Sequence, residues 1–363
     1  MQAGDGERSR DFTDLETKPS RMLRILTLCL LCNQLSFAQS AAGAGRVVVD
    51  SLYSEALENA YGESPTRAVS VYLPPTYDAD DTRYPVIYYL HGFLNDHTLT
   101  PQMIDVLDYA IASGKIPPFI LVVADNRTAI DGSFYSNSEH FGNWETFMAE
   151  DLVRYTDTHY RTLARRDSRG VTGHSMGGYG ALKLAMRYPQ TFSSVYALSP
   201  GALTVVGEYG PNGPTYQELA GIETMEDLMQ SYFPKVIVAF GRAWSPNPDK
   251  PPFYADVPFT YRNDSLVVHP EVLEKWYAEM PVHMIPDHLT QLQSLRGIAL
   301  DWGRNAGDRF VRQCEMFSQR LENVGIEHQA EEYIGTHTSG IFTREGRVPT
   351  DMLPFFAHRL SFE

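Results

Sequence analysis

From about residue 67 onward the chain alternates short apolar runs with stretches rich in helix formers. Tyr84–Leu90 and Phe119–Ala124 are almost unbroken apolar runs, and Ser168–Thr172 is short and partly β-branched. Leu295–Trp302 and Ile326–Tyr333 have strand character further along. Tyr179–Tyr188, closed by Pro189, and Arg309–Val324 read as helices, and a last helix carries His358. Strands alternating with helices predict an α/β fold with a mostly parallel central sheet flanked by helices on both faces. The rhythm breaks once. Between Ser199-Pro200 and the strand at Leu295 lie about 95 residues, far more than an α/β link uses. Residues 201–294 are therefore expected to be a large insertion forming a partial lid. Within it, Met225–Phe233 and Pro270–Glu279 look helical, while Gly210–Pro214 and Trp244–Pro258 are rich in proline, glycine and aromatics.

The first 38 residues stand apart. Met22-Leu23-Arg24 leads into the apolar run Ile25–Cys32, and Ser36-Phe37-Ala38 supplies small residues at the two cleavage positions. This reads as a secretory signal peptide starting at Met22, preceded by upstream sequence, and it predicts a secreted or periplasmic protein. The run is shorter than the ~20 residues a bilayer requires, so no membrane span is expected in the mature chain. Residues 39–363 are then expected to form a single domain, and 43% hydrophobic content is ample for its core. Cys29 and Cys32 leave with the leader, which makes an intrachain disulfide impossible and Cys314 a buried small hydrophobe. The formal net charge is -15, and acids and bases balance in the leader, so the mature chain carries all of it. That argues against nucleic acid or an anionic membrane as a partner.

The most informative motif is Gly173-His174-Ser175-Met176-Gly177, set between a predicted strand and a predicted helix. Strand, sharp turn and helix are the context of a nucleophile elbow, which exposes Ser175 at its tip. The base should be a histidine on a loop after the last strand, and His337, in Gly335-Thr336-His337, is so placed. The acid should follow the preceding strand, where two aspartates compete. Asp308 lies on the loop after Leu295–Trp302 and doubles as a helix-cap candidate, while Asp301 is still within the strand. Two backbone N–H groups should form the oxyanion site: that of Met176, after the nucleophile, and that of Phe93, in His91-Gly92-Phe93 after an early strand. His91 reads as a brace for that loop. Tyr135 on the Gly/Ser-rich loop after Phe119–Ala124, and Trp244, Phe253, Tyr254 and Trp276 in the insertion, are the candidate substrate contacts. Asn126-Arg127-Thr128 matches a glycosylation pattern. His283 and His288 bracket Pro286-Asp287 at a spacing that fits no usual metal set, so no metal and no cofactor are expected.

Val71–Tyr77, Tyr84-Pro85-Val86 and Leu90-His91-Gly92 together resemble the opening of the putative-esterase (esterase D-like) branch of the α/β-hydrolases. Gly173–Leu182 is similar to its nucleophile block and Gly335-Thr336-His337 to its histidine block. The resemblance implies the α/β-hydrolase fold, with Ser175 as nucleophile, His337 as base, Asp308 as acid, and Phe93 and Met176 as oxyanion donors. It departs in one place. The family's acid usually stands three residues after the strand-end glycine, whereas Asp308 stands five after Gly303, which keeps Asp301 open. The implied activity is serine carboxylic-ester hydrolysis through an acyl-enzyme, on carbohydrate-linked (feruloyl or acetyl) or other small acyl esters. An acyltransferase of the same fold, or a non-catalytic binding protein that kept it, are the alternatives.

Overall fold

The computed structural model describes residues 43–263 and 265–363. The leader expected over residues 1–38 lies outside them. Eight strands form the central sheet: β1 (Arg46–Tyr53), β2 (Thr66–Leu73), β3 (Val86–Leu90), β4 (Ile120–Ala124), β5 (Arg169–His174), β6 (Ser194–Leu198), β7 (Gly297–Gly303) and β8 (Gln329–Tyr333). Their spatial order is β1-β2-β4-β3-β5-β6-β7-β8. β2 runs antiparallel to both β1 and β4, and every other neighbouring pair is parallel. All residues of β3, β4 and β6 are buried. A strand covered on both faces has no polar side to show, which is why these read as continuous apolar runs rather than alternating ones.

The covering helices are α1 (Pro101–Ala112), α2 (Leu152–His159), α3 (Met176–Arg187), α6 (Asp308–Asn323) and α7 (Leu353–Arg359), with α4 (Tyr232–Trp244) and α5 (Pro270–Tyr277) in the insertion. Val106, Leu107 and Ala110 of α1 share a core with Leu353, Phe355 and Phe356 of α7 on one face. Leu152 of α2, Leu182 of α3 and Phe317 of α6 belong to the core on the other. Cys314 of α6 is buried there.

The insertion's longest helix, α4, differs from the expectation, which ended the first helix of the insertion at Phe233 and marked no helix between there and Pro270. Pro234 lies in its first turn, where a missing N–H costs nothing. Several contacts hold the insertion to the sheet layers. Lys183 of α3, fully buried, pairs with Glu145 at 2.8 Å and also with Glu279 just past α5. Arg187 of α3 reaches the same two carboxylates at 2.6 and 2.9 Å, and the Tyr179 hydroxyl donates to the Glu279 carbonyl at 2.9 Å. Lys235 of α4 meets Asp131, on the loop after β4, at 2.6 Å.

Candidate active site

Ser175 occupies the turn between β5 and α3 with φ 60° and ψ -114°, a backbone state that costs an L-residue of order 1–3 kcal/mol. The turn is packed tightly on both sides. A Cβ on Gly177 would overlap the Leu90 carbonyl, and one on Gly173 would stand 2.5 Å from the same oxygen. The strand end of β3 is thus pressed against the turn. The Ser175 N–H donates to Leu198 O at 3.0 Å, and its carbonyl accepts from Tyr179 and Gly201 at 3.0 and 3.1 Å. α3 begins at Met176, three residues earlier than its composition suggested, because the turn passes straight into the helix through Gly177 and Gly178.

His337 meets this serine, with Nε2 2.8 Å from Ser175 Oγ. Its loop is fixed by the Tyr333 hydroxyl donating to Thr336 O (2.8 Å), by Thr336 N donating to Ser339 Oγ (2.9 Å), and by close approach of Gly335 O to Gly303. Phe310 stacks on one face of the imidazole at 3.7 Å. On another side the ring of His174 is 4.6 Å away, and His174 Nε2 donates to the His337 carbonyl at 3.0 Å. Burial, then the neighbouring His174, Arg309 and Arg347, hold the His337 pKa down to about 2, so its ring is neutral. With Nε2 accepting the serine proton, Nδ1 carries the hydrogen. That N–H is enclosed and has no partner among the described residues.

Neither candidate acid fills this position. Asp308 opens α6 with a 69% exposed side chain, and its one partner among the described residues is Arg312 at 3.4 Å. The expected hydrogen bond from His337 to Asp308 is therefore absent from this arrangement. The loop before it explains why: Arg304 and Asn305 donate to Tyr333 O and Gly335 O, both at 2.9 Å, and so use chain length to bridge to the histidine loop. Asp301 is buried in β7, where its carboxylate accepts Ser199 N at 3.0 Å and Tyr196 OH at 3.2 Å and pairs with Arg347. Burial pushes its pKa up to about 6 against the opposing Arg347. Arg347 also donates to Ser339 O, so the pair acts as a brace for the His337 loop.

Phe93 and Met176 converge on Gly132, where a Cβ would come within 2.6 Å of the Phe93 ring and 2.5 Å of Met176 Sδ. The Phe93 loop is set by His91, whose Nδ1 donates to Gly92 O and whose Nε2 accepts from Asn126 N, each at 2.9 Å. Asn126 itself is fully buried, which removes it as a glycan acceptor.

Three of the expected substrate contacts, Tyr135, Trp244 and Trp276, are packed into the interior. Tyr135 is fully buried and donates its hydroxyl to His91 O at 2.9 Å. Trp244 stacks on Phe240 at 4.4 Å and donates to Ser136 Oγ, and Trp276, fully buried, donates to Ser245 Oγ. Large rings whose single polar atom is satisfied internally are packing elements. Tyr254 sits beside Tyr61 at 5.1 Å, and Phe253 lines a 570 Å³ cavity formed by insertion residues. Phe310 stacks on His337, and Phe93, beside Met176, is met edge-on by the exposed Tyr232 at 6.1 Å. Arg309 lies over Phe310 and Phe233 and pairs with Glu208 at 2.7 Å. No sequence spacing marked Phe310, Tyr232 or His174; only the turn motif itself contained His174.

A family model described as putative esterase matches residues 64–345, well over half of the chain. The chain belongs to the putative esterase family. An esterase of Mycobacterium tuberculosis is 39% identical over 131 residues, which cover 35% of this chain and 27% of that protein. An endo-1,4-beta-xylanase/feruloyl esterase of Xylanibacter ruminicola is 32% identical over 143 residues, covering 37% and 20%. The S-formylglutathione hydrolase of Paracoccus denitrificans is 30% identical over 156 residues, covering 39% and 54%. The chain thus spans only a part of each of these relatives. Among solved structures, a ferulic acid esterase matches with a TM-score of 0.60 at 22% identity, over 88% of this chain and 99% of that one. An S-formylglutathione hydrolase from Agrobacterium tumefaciens matches with a TM-score of 0.57 at 18% identity, over 90% and 99%. The fold is that of the α/β-hydrolases. Among the described residues, no helix is long and apolar enough to cross a membrane, and no cluster of three or more metal-ligating side chains occurs.

Proposed function

We propose that this chain is a serine carboxylic-ester hydrolase acting on carbohydrate-linked (feruloyl or acetyl) or other small acyl esters. The observation that carries the reading is the 2.8 Å contact between His337 Nε2 and a serine hydroxyl held at positive φ on a strand-to-helix turn. In the first step His337 Nε2 takes the Ser175 proton as Oγ bonds to the ester carbonyl carbon. The oxyanion so formed accepts from the N–H groups of Phe93 and Met176, at the positive end of α3. Collapse breaks the C–O bond, and His337 returns the proton to the departing alcohol. Water, deprotonated by His337 in turn, then releases the acid from the acyl-enzyme.

Imidazolium puts a charge beside an N–H that has no acceptor. Asp308 is the carboxylate we assign to it. It stands two residues before the ring that stacks on His337, follows a glycine at φ 94°, and leaves only a long, exposed contact with Arg312. Such contacts often tighten only in the complex with substrate. The leader pattern supports export of the chain, and the insertion over 201–294 serves as the cap of the site. Hydrolysis of p-nitrophenyl acetate, methyl ferulate and acetylated xylan by residues 39–363, beside Ser175→Ala, tests the reading. Turnover that disappears in the alanine variant supports it, and turnover that survives there overturns it.

A further inference from the structure

Glu208 belongs to the insertion, on the turn Gly207–Tyr209, and reaches across to the first turn of α6. Its carboxylate accepts from Arg309 Nη1 at 2.7 Å, and among the described residues it is the one carboxylate that Arg309 meets. The two segments also touch at the backbone. A Cβ on Gly207, at φ 56°, would stand 2.7 Å from Arg309 Cβ and 3.1 Å from its Cα. The guanidinium lies 4.5 Å from the ring centroid of Phe310 and 4.8 Å from that of Phe233, a residue of α4. Phe310 in turn stacks on the His337 imidazole at 3.7 Å, with 20° between the planes. A Cβ on Gly201 would come within 3.2 Å of the Phe310 ring, and the Gly201 N–H donates to the Ser175 carbonyl at 3.1 Å. The insertion, Arg309, Phe310 and His337 are thus continuous in space, and the series ends on the catalytic pair.

Charge decides what this contact does. Three groups that carry or can acquire a positive charge surround His337: His174 of β5, Arg309 of α6 and Arg347 of the loop before α7. Burial keeps His174 neutral, with its pKa down to about 4. Arg347 is paired with Asp301. Arg309 has Glu208 alone, since Asp308 beside it meets Arg312 instead. When His337 takes the Ser175 proton, its imidazolium meets the field of Arg309, and the Glu208 carboxylate offsets that field. The two side chains are only 18% and 33% exposed, so salt and water screen them less than a surface pair.

We propose that Glu208 is a positioning residue for the catalytic base, acting through Arg309: it fixes the guanidinium against Phe310 and offsets the charge that opposes the His337 imidazolium. The inference rests on the esterase reading above and adds that the insertion sets the electrostatics of the base.

Three variants separate this role from simple packing. Glu208→Gln keeps the shape and an acceptor for Arg309 but removes the charge. Glu208→Asp keeps the charge. Arg309→Met, added to Glu208→Gln, removes the cation left unopposed. The measurements are kcat and KM on p-nitrophenyl acetate, the rate of fluorophosphonate labelling of Ser175, and thermal unfolding. Glu208→Gln should lower kcat and the labelling rate about tenfold, with KM within about twofold and Tm within a few degrees of the wild type. Glu208→Asp should lose less than about threefold, and the double variant should regain at least about threefold over Glu208→Gln. A Glu208→Gln variant as fast as the wild type overturns the proposal. So does a double variant no faster than Glu208→Gln, the result for a contact that serves only to hold the fold. A wild-type chain that takes the label but hydrolyses none of the esters above overturns the esterase reading alone, because the labelling rates still decide the role of Glu208.

Discussion

Among the described residues the carboxylate of Asp308 has one partner, the Arg312 guanidinium at 3.4 Å, and the two side chains are 69% and 57% exposed. An ion pair of this kind contributes ~0–1 kcal/mol. A first-turn acid adds ~0.3–1 kcal/mol through the helix dipole. Asp308→Asn keeps the side-chain shape, so its effect on stability is bounded at about 2 kcal/mol, a Tm shift of a few degrees. The effect on catalysis is of another size. In the transition state the enclosed Nδ1–H of His337 belongs to a cation, and a partner that stabilises it is worth ~10⁴ in kcat, or about 5.5 kcal/mol. Asp301→Asn separates the two candidates. It leaves the buried Arg347 guanidinium facing a neutral group, which costs ~3–5 kcal/mol of folding. The assay is kcat on p-nitrophenyl acetate beside thermal unfolding for the wild type and both variants. We expect Asp308→Asn to melt within a few degrees of the wild type with kcat lower by ~10³–10⁴. A kcat within threefold of wild type refutes the assignment and leaves a Ser175–His337 pair without a carboxylate.

Acidification should destabilise the fold. His91 and His174, held down to about 4, and His337, to about 2, stay neutral while an unfolded chain protonates them below pH 6.5. Their contribution is present above pH 6.5 and is lost as pH falls. Asp301, raised to about 6, works in the opposite sense, so roughly two net protons remain, or about 3 kcal/mol per pH unit between pH 6 and 5. Tm measured from pH 7.5 to 5 checks this, and a flat Tm contradicts it. In the free enzyme the same low His337 value predicts kcat/KM on p-nitrophenyl acetate without the usual histidine limb near pH 6.5. Gly177→Ala should give no folded enzyme, because the added methyl overlaps backbone that cannot move aside, a cost above the ~1–3 kcal/mol of ordinary overpacking; expression with a native circular dichroism spectrum would contradict it. Lys183→Met leaves the buried Glu145 with Arg187 as its remaining cationic partner and should cost ~3 kcal/mol in urea unfolding.

Strands β3 and β4 were legible because burial on both faces leaves an unbroken apolar run, a signal that needs no knowledge of neighbours. The turn at Ser175 was legible for a related reason: glycines two residues either side are required by the Leu90 backbone, so the constraint is written locally. The start of α3 was not, since Gly177 and Gly178 read as breakers until the strand end that presses on them is in place. Nor were the roles of Trp244 and Trp276. Their indole nitrogens are satisfied by Ser136 and Ser245, and no composition rule distinguishes a ring used that way from one facing substrate. Phe310 and His174 flank His337 only because α6, β5 and the last loop meet in space. The acid was the least legible residue, as the sequence shows five residues from Gly303 to Asp308 but not how Arg304 and Asn305 use them.

The central claim is that Ser175 is an activated nucleophile, and covalent labelling tests it without a guess about substrate. A fluorophosphonate should add one phosphonyl group per chain, located on Ser175 by peptide mass spectrometry, and should add none to Ser175→Ala or, at the same exposure, to His337→Ala. A folded wild-type chain that takes up no label, or takes it up equally after His337→Ala, would contradict the account.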